Sequence, residues 1–263
     1  MWSCLYKECR GNRQSPINID TEVIRVNKSS QKFVFNNYKK SLKNLPIKNT
    51  GYTAQIDIPE DDKVSIEIPW LGKFRLIRIE MYWSNSSFKG SQHSVDSKHF
   101  PLEIILIHLN KKYKEPTNKP DAGLALSVLF QIKKDDNEKL DPLFDNLKNI
   151  KYACQNSTLS SSLRIKDILP RNPYSYIKYF GSLLHPPCHQ AITWIVFRHS
   201  NIVSENQLAK LRMLRSTKKD EKPEKLITKN SRSIQDLNDR KIITTLRLHR
   251  HWEYPVPSSL YDW

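Results

Sequence analysis

Phe74-Arg75-Leu76-Ile77-Arg78-Ile79-Glu80-Met81-Tyr82-Trp83, followed by Leu102-Glu103-Ile104-Ile105-Leu106-Ile107-His108-Leu109, are the runs whose reading decides the fold. Alternate side chains of a strand point to the same face, so Glu80 and Tyr82 share one. The second run is almost continuously apolar, as a strand buried on both faces requires. Working outward, strand-like runs recur at Phe33-Val34-Phe35, Tyr52 to Ile58, Val64 to Ile68, Leu124 to Ile132 and Ala191 to Phe197. In Gln55-Ile56-Asp57-Ile58 and Ser65-Ile66-Glu67-Ile68 apolar and polar residues alternate, which predicts strands with one wet face. Helices are few. Asp141 to Ile150 carries Leu143, Phe144, Leu147 and Ile150 at helical spacing, and Ser204 to Arg215 opens with the capping pair Ser204 and Gln207. Arg215 to Lys229 is polar and reads as an exposed loop. The expectation is a mainly β (α+β) chain with peripheral short helices, folded as a single domain over 1–263.

A length of 263 residues suits one large domain, and 38% hydrophobic residues suffice for its core. No run approaches the ~20 apolar residues of a spanning helix, so no membrane span is expected. No basic-then-apolar leader opens the chain, which is read as a mature form or one with an added Met1. The net charge of +16 is spread in clusters such as Lys39-Lys40 and Lys111-Lys112. Such a field attracts sulfated glycans, anionic membrane surfaces or nucleic acid. The plain alternative is a solubilising surface. The fingerprints of nucleic-acid binding are missing, so nucleic acid is not an expected partner. Cys4, Cys9, Cys154 and Cys188 form no metal-type spacing. An even number of scattered cysteines points to disulfides and an oxidising compartment. Sequons at Asn27, Asn85 and Asn156 agree. The chain is therefore expected to be secreted or at the cell surface.

Several segments, in order, resemble the α-carbonic anhydrases over residues 9–245. They are Asn12-Arg13-Gln14-Ser15-Pro16-Ile17-Asn18-Ile19, the two opening runs, and Gly90-Ser91-Gln92-His93-Ser94-Val95-Asp96. Gly181-Ser182-Leu183-Leu184-His185-Pro186-Pro187-Cys188 with Thr193-Trp194-Ile195-Val196-Phe197, and then Asn230 to Arg240, complete the set. The tail 246–263 is divergent. The resemblance implies a large, twisted, mostly antiparallel sheet of about ten strands. It also implies cis bonds at Ser15-Pro16 and Pro186-Pro187 and a Cys9–Cys188 bridge. Cys4 and Cys154 are left as a second pair or an intermolecular link.

The same resemblance places Glu80, Tyr82 and Ile105 at the three metal-ligand positions. A catalytic zinc needs three neutral imidazoles at about 2.0–2.1 Å plus an open position. Ile105 has no lone pair, so zinc is expected to be absent and no cofactor is predicted. Tyr52 stands where the family has its proton-shuttle histidine, and its ordinary pKa near ~10 does not suit a relay at neutral pH. Leu184 replaces the threonine that orients the zinc hydroxide, and His185 follows it. Gln92 replaces the acid that holds that threonine. Glu103 matches the acid behind a ligand histidine, while His93 and His108 match structural histidines. Leu124, Leu126, Ile107, Leu183 and Trp194 match the apolar wall of the cleft. Glu80, Arg78, His185 and Tyr52 are expected to plug the vacated site, with Glu80 and Glu103 near each other.

These substitutions predict a protein that is not an enzyme. The expected function is that of a secreted or surface binding protein engaging a sulfated glycosaminoglycan or another anionic partner. Lys39, Lys40, Lys111 and Lys112 are the first candidates for that contact. The alternatives are a residual zinc enzyme hydrating CO2 and a disulfide-linked protein-interaction module that dimerises through Cys4 or Cys154.

Overall fold

The structure is a computed structural model that describes residues 2–26 and 32–244. The sequon at Asn27 and the tail 246–263 lie outside the described residues. Each strand-like run forms a strand: Val34–Asn36, Ala54–Asp57, Ser65–Ile68, Gly72–Trp83, Leu102–Asn110, Gly123–Lys133 and Ile192–Phe197. They belong to a 13-stranded sheet, and a separate 3-stranded sheet joins Asn18–Ile19, Ser94–Val95 and Lys98–His99. The large sheet is mostly antiparallel, as expected. Parallel neighbours interrupt it, since Ile192–Phe197 and Asn201–Ser204 both run parallel to Gly123–Lys133.

At its centre Leu102–Asn110 lies between Gly72–Trp83 and Gly123–Lys133, and all nine of its residues are buried. Leu102, Ile104 and Leu106 enter one core with Met81 and Trp83, while Ile105 and Ile107 enter the other with Tyr82 and Trp194. Burying such a side chain stabilises by roughly 1.5–3 kcal/mol, which is why the central strand carries hydrocarbon on both faces. The wet faces predicted for the alternating runs are drier than expected. Gln55 and Ser65 are buried, and Gln55 Nε2 donates to Asp57 Oδ1 at 2.5 Å.

Glu205–Arg212 is helical, and Ser204 and Gln207 cap it reciprocally, with Gln207 N donating to Ser204 Oγ at 3.0 Å. Ser204→Ala is expected to cost about 1 kcal/mol, a loss readable as a lower urea midpoint with unchanged slope. The helix expected over 141–150 is instead broken into Asp141–Phe144 and the 3-10 turn Leu147–Ile150. Asn146 sits at the break and its side chain bonds back to Pro142 O at 3.1 Å, competing with helix continuation. The apolar stripe survives the break: Leu143, Phe144, Leu147 and Ile150 are all buried. The loop 215–229 is largely exposed but pinned through Ile227, which is buried.

Ser15-Pro16 and Pro186-Pro187 are cis, as is Lys222-Pro223. Cys9 and Cys188 form the expected bridge. The second pair does not form: Cys4 and Cys154 are free, exposed thiols. Cys154 is fixed in a surface turn with φ 67°, its N–H donating to Asn49 O at 2.8 Å, and its side chain is turned to solvent.

The segment 230–240 is stitched to 12–16. Arg240 Nη1 donates to Gln14 O at 2.7 Å, Arg232 Nη1 to Ser15 O at 2.8 Å, and Asn238 Nδ2 to Asn12 O at 2.8 Å. Ile243–Thr244 then pairs with both Tyr176–Gly181 and Arg25–Val26. No helix among the described residues is long and apolar enough to cross a membrane.

Candidate functional site

Register builds the site. Opposite Leu102–Asn110, Arg78 pairs with Ile107, Glu80 with Ile105 and Tyr82 with Glu103, while Ser127 faces Ile105 from the other side. Directly paired residues project to one face, so these seven side chains share the floor of a cleft. The loop before Cys188 supplies Leu183, Leu184 and His185 as its wall.

Three of the expected plug residues meet there, with Tyr82 at their centre. Tyr82 Oη donates to Glu80 Oε2 at 2.7 Å and lies 2.8 Å from His185 Nε2. Arg78 Nε stands 2.9 Å from Glu80 Oε1 as an ion pair, although this buried N–H makes no hydrogen bond among the described residues. Burial, reinforced by the Glu80 carboxylate, pushes the Tyr82 hydroxyl well above its ordinary value, so it keeps its proton. Burial lowers His185; Glu80 opposes that shift and Arg78 and Arg232 add to it, leaving a neutral ring at pH 7. Since the one Tyr82 proton goes to Glu80, the neutral imidazole must carry its own on Nε2 and donate it to Tyr82. Tyr52 takes no part in this chain. It is 63% exposed at the rim, its ring 6.4 Å from that of His185. A phenol at the end of a surface turn is too far out to fill the floor; the sequence alone had suggested the wrong tyrosine.

Glu103, fully buried, has its own partners. It accepts from His93 N at 2.9 Å and Ser127 Oγ at 2.7 Å, with His93 Nδ1 at 2.8 Å. Burial pushes this carboxyl up, but the His93 contacts outweigh it and hold the group below its ordinary value. His93 Nε2 lies 2.7 Å from Tyr179 Oη, which donates to Ser15 Oγ at 3.0 Å. Ser127, Tyr179 and Ser15 carried no sequence signal of this role, because strand register places the first two and contacts of the 12–16 segment with Ser182 place the third. His108 lies in the opposite core, its Nδ1 3.0 Å from Leu106 O and its Nε2 against Tyr38 Oη.

The donor set does not fit a zinc ion. Ile105 offers no lone pair, and Tyr82 and Glu80 are bonded to each other and to Arg78 and His185. Among the described residues no three of His, Cys, Asp or Glu gather as a metal-holding group. Gln92 Oε1 accepts from Arg232 N at 2.9 Å, its buried Nε2 has no hydrogen-bond partner among the described residues, and Leu184 is buried without a hydroxyl. Leu124 and Leu126, expected on the cleft wall, face the other core, because they alternate with Ala125, which does line the cleft.

The expected lysine pairs come to one end of the sheet. Asn37 Nδ2 donates to Lys63 O at 3.2 Å and Lys40 pairs with Asp62 at 2.9 Å, docking the 37–40 turn on the 60–63 turn. That second turn borders a groove of about 690 Å³ lined by Lys63, Arg75, Lys111 and Lys114 against Glu60 and Asp61. Lys112 is engaged by Asp121 at 3.2 Å, while Lys39 and Lys111 are exposed and form no ion pair among the described residues. Lys63, Arg75 and Lys114 were not singled out from the sequence, where each is an isolated charge. Asn85 and Asn156 are exposed.

A mixed sheet of this order, with an apolar-walled cleft over its central strands, defines a fold family. Residues 1–246 match the eukaryotic-type carbonic anhydrases. Carbonic anhydrase 6 of Bos taurus is 31% identical over 99% of this chain and 81% of that protein. Carbonic anhydrase 7 of Homo sapiens is 32% identical over 94% of the chain and 93% of that protein. Receptor-type tyrosine-protein phosphatase zeta of Homo sapiens is 32% identical over 79% of the chain but 9% of that much longer protein. The chain belongs to the eukaryotic-type carbonic anhydrase family.

Proposed function

We propose that this member of the family binds rather than catalyses, and that its ligand is a sulfated, glycosaminoglycan-like polyanion met outside the cell. The groove of Lys63, Arg75, Lys111 and Lys114 carries the reading, because it sets four cations against two carboxylates on a chain of net charge +16. A cleft lined by one predominant sign concentrates opposite charge along its length. The Cys9–Cys188 bridge and the exposed Asn85 and Asn156 sequons support an extracellular or surface location. The loss of catalysis rests on the donor chemistry at Glu80, Tyr82 and Ile105, which offers no set of three imidazoles.

Heparin affinity tests the binding. The protein is expected to elute well above physiological ionic strength of about 0.15 M. The triple variant Lys63→Ala, Lys111→Ala, Lys114→Ala should elute substantially earlier at unchanged stability. Elution of the parent chain at or below physiological salt would sink the polyanion. Stoichiometric zinc by elemental analysis together with sulfonamide-sensitive CO2 hydration would install the enzyme reading instead.

A further inference from the structure

Beside the Tyr82 cluster the cleft keeps a cavity of about 60 Å³ with a lining of mixed chemistry. Ile107, Ala125, Leu183, Leu184, Ile192 and Trp194 give it hydrocarbon. Arg78, Glu80 and His185 give it polar groups, Arg78 directly across from Ile107. Both oxygens of Glu80 are engaged, Oε2 by Tyr82 and Oε1 by the ion pair with Arg78. The Arg78 side chain makes no hydrogen bond among the described residues, and it is about one-third exposed at the cavity. A guanidinium has five donors in a planar fork, so an arginine engaged only through Nε leaves its terminal amines for a ligand.

The geometry points to a binding site for a small aliphatic monocarboxylate, its carboxylate forked by the Arg78 terminal amines and its short tail against Ile107, Ala125 and Trp194. A planar carboxylate matches the guanidinium fork in a way that a spherical anion does not. A neutral alkane leaves the terminal amines of the guanidinium without acceptors. Glu80 already balances Arg78, so a phosphate or sulfate ester would add two charges there where a monocarboxylate adds one. About 60 Å³ is roughly four to six times the ~10–15 Å³ that holds one water on the same measure, room for a carboxylate with a short tail. The site is separate from the lysine groove and does not depend on it.

So few atoms cap the affinity, and a dissociation constant in the millimolar range is expected. The test is a titration of the full chain with sodium formate, acetate, propionate, hexanoate and bicarbonate at pH 7 and constant ionic strength, followed by amide chemical shifts. Propionate should bind at least several-fold tighter than formate and than bicarbonate, and hexanoate should not saturate. Arg78→Gln should weaken propionate at least tenfold. Arg78→Lys keeps the charge next to Glu80 but not the fork, and should weaken it by less. Ala125→Val should erase the preference for propionate over formate while leaving Arg78 and Glu80 untouched. The proposal is overturned if no carboxylate saturates by about 50 mM, a limit set by the expected millimolar constant. It is equally overturned if the folded Arg78→Gln and Arg78→Lys chains bind propionate as the parent does, or if bicarbonate binds best.

Discussion

Lowering the pH from 6.5 towards 3 is expected to remove on the order of 5 kcal/mol of stability through His108 alone. This ring is fully buried, and burial lowers its pKa to about 3 against the favourable pull of the Leu124 and Leu106 carbonyls. A depressed folded pKa means that the unfolded chain binds the proton first. The stability is therefore complete above the unfolded value near 6.5 and drains away as pH falls towards 3. A shift of that size, at about 1.4 kcal/mol per unit, gives the stated total. His99 and His185 are lowered by burial too and add to the same limb. Glu103 acts in a lower window: its depressed carboxyl contributes stability that is lost only as pH falls below the ordinary carboxylate value. Urea unfolding at several pH values should show the slope. The double variant Tyr38→Phe, His108→Leu, which removes both partners of the buried Tyr38–His108 contact together, should flatten it between pH 6.5 and 4.5. An unchanged slope in that folded variant would count against His108 as the source.

The second large effect is expected on opening the Cys9–Cys188 bridge. It joins residues 179 apart in sequence, and the chain-entropy relation for a loop of that length gives about 5 kcal/mol. Cys9→Ala with Cys188→Ala should approach that loss in urea unfolding without reductant, whereas Cys4→Ala or Cys154→Ala, at exposed thiols, should have little effect. A loss under about 1 kcal/mol would mean that the denatured chain is already compact. The effect should also reach the cleft. His185 lies three residues before Cys188, and its ring holds Tyr82, so the untethered loop should let that hydrogen bond fray first.

The fold was legible because its strands are long and their period is plain. Leu102 to Leu109 could hardly be anything but a central strand, and every strand-like run found a place in the sheet. What escaped were elements whose register depends on other strands. Tyr176–Gly181 carries no clean alternation, and Asn201–Ser204 is a strand only because Gly123–Lys133 lies beside it. At the site, the residue types at Arg78, Glu80 and His185 already suggested a polar cluster. The choice between Tyr52 and Tyr82 as its phenol was a question of depth, and depth is invisible until the rim turn and the floor strand are placed. The lysine groove was hidden for a related reason: Lys63, Arg75 and Lys114 are scattered in sequence and meet only where three chain segments end together.

The stitching of residues 230–244 onto 12–26 bears on how the chain comes to be folded at all. A ribosome delivers residues 12–26 first, yet the arginines that clamp them and the strand that pairs Arg25–Val26 emerge more than two hundred residues later. Until Ile243–Thr244 arrives, one side of Tyr176–Gly181 is an unpaired sheet edge, a template open to strands of other chains. Closing that edge therefore waits for residues 230–244. A chain still lacking that segment carries the kind of exposed strand edge through which folding intermediates aggregate.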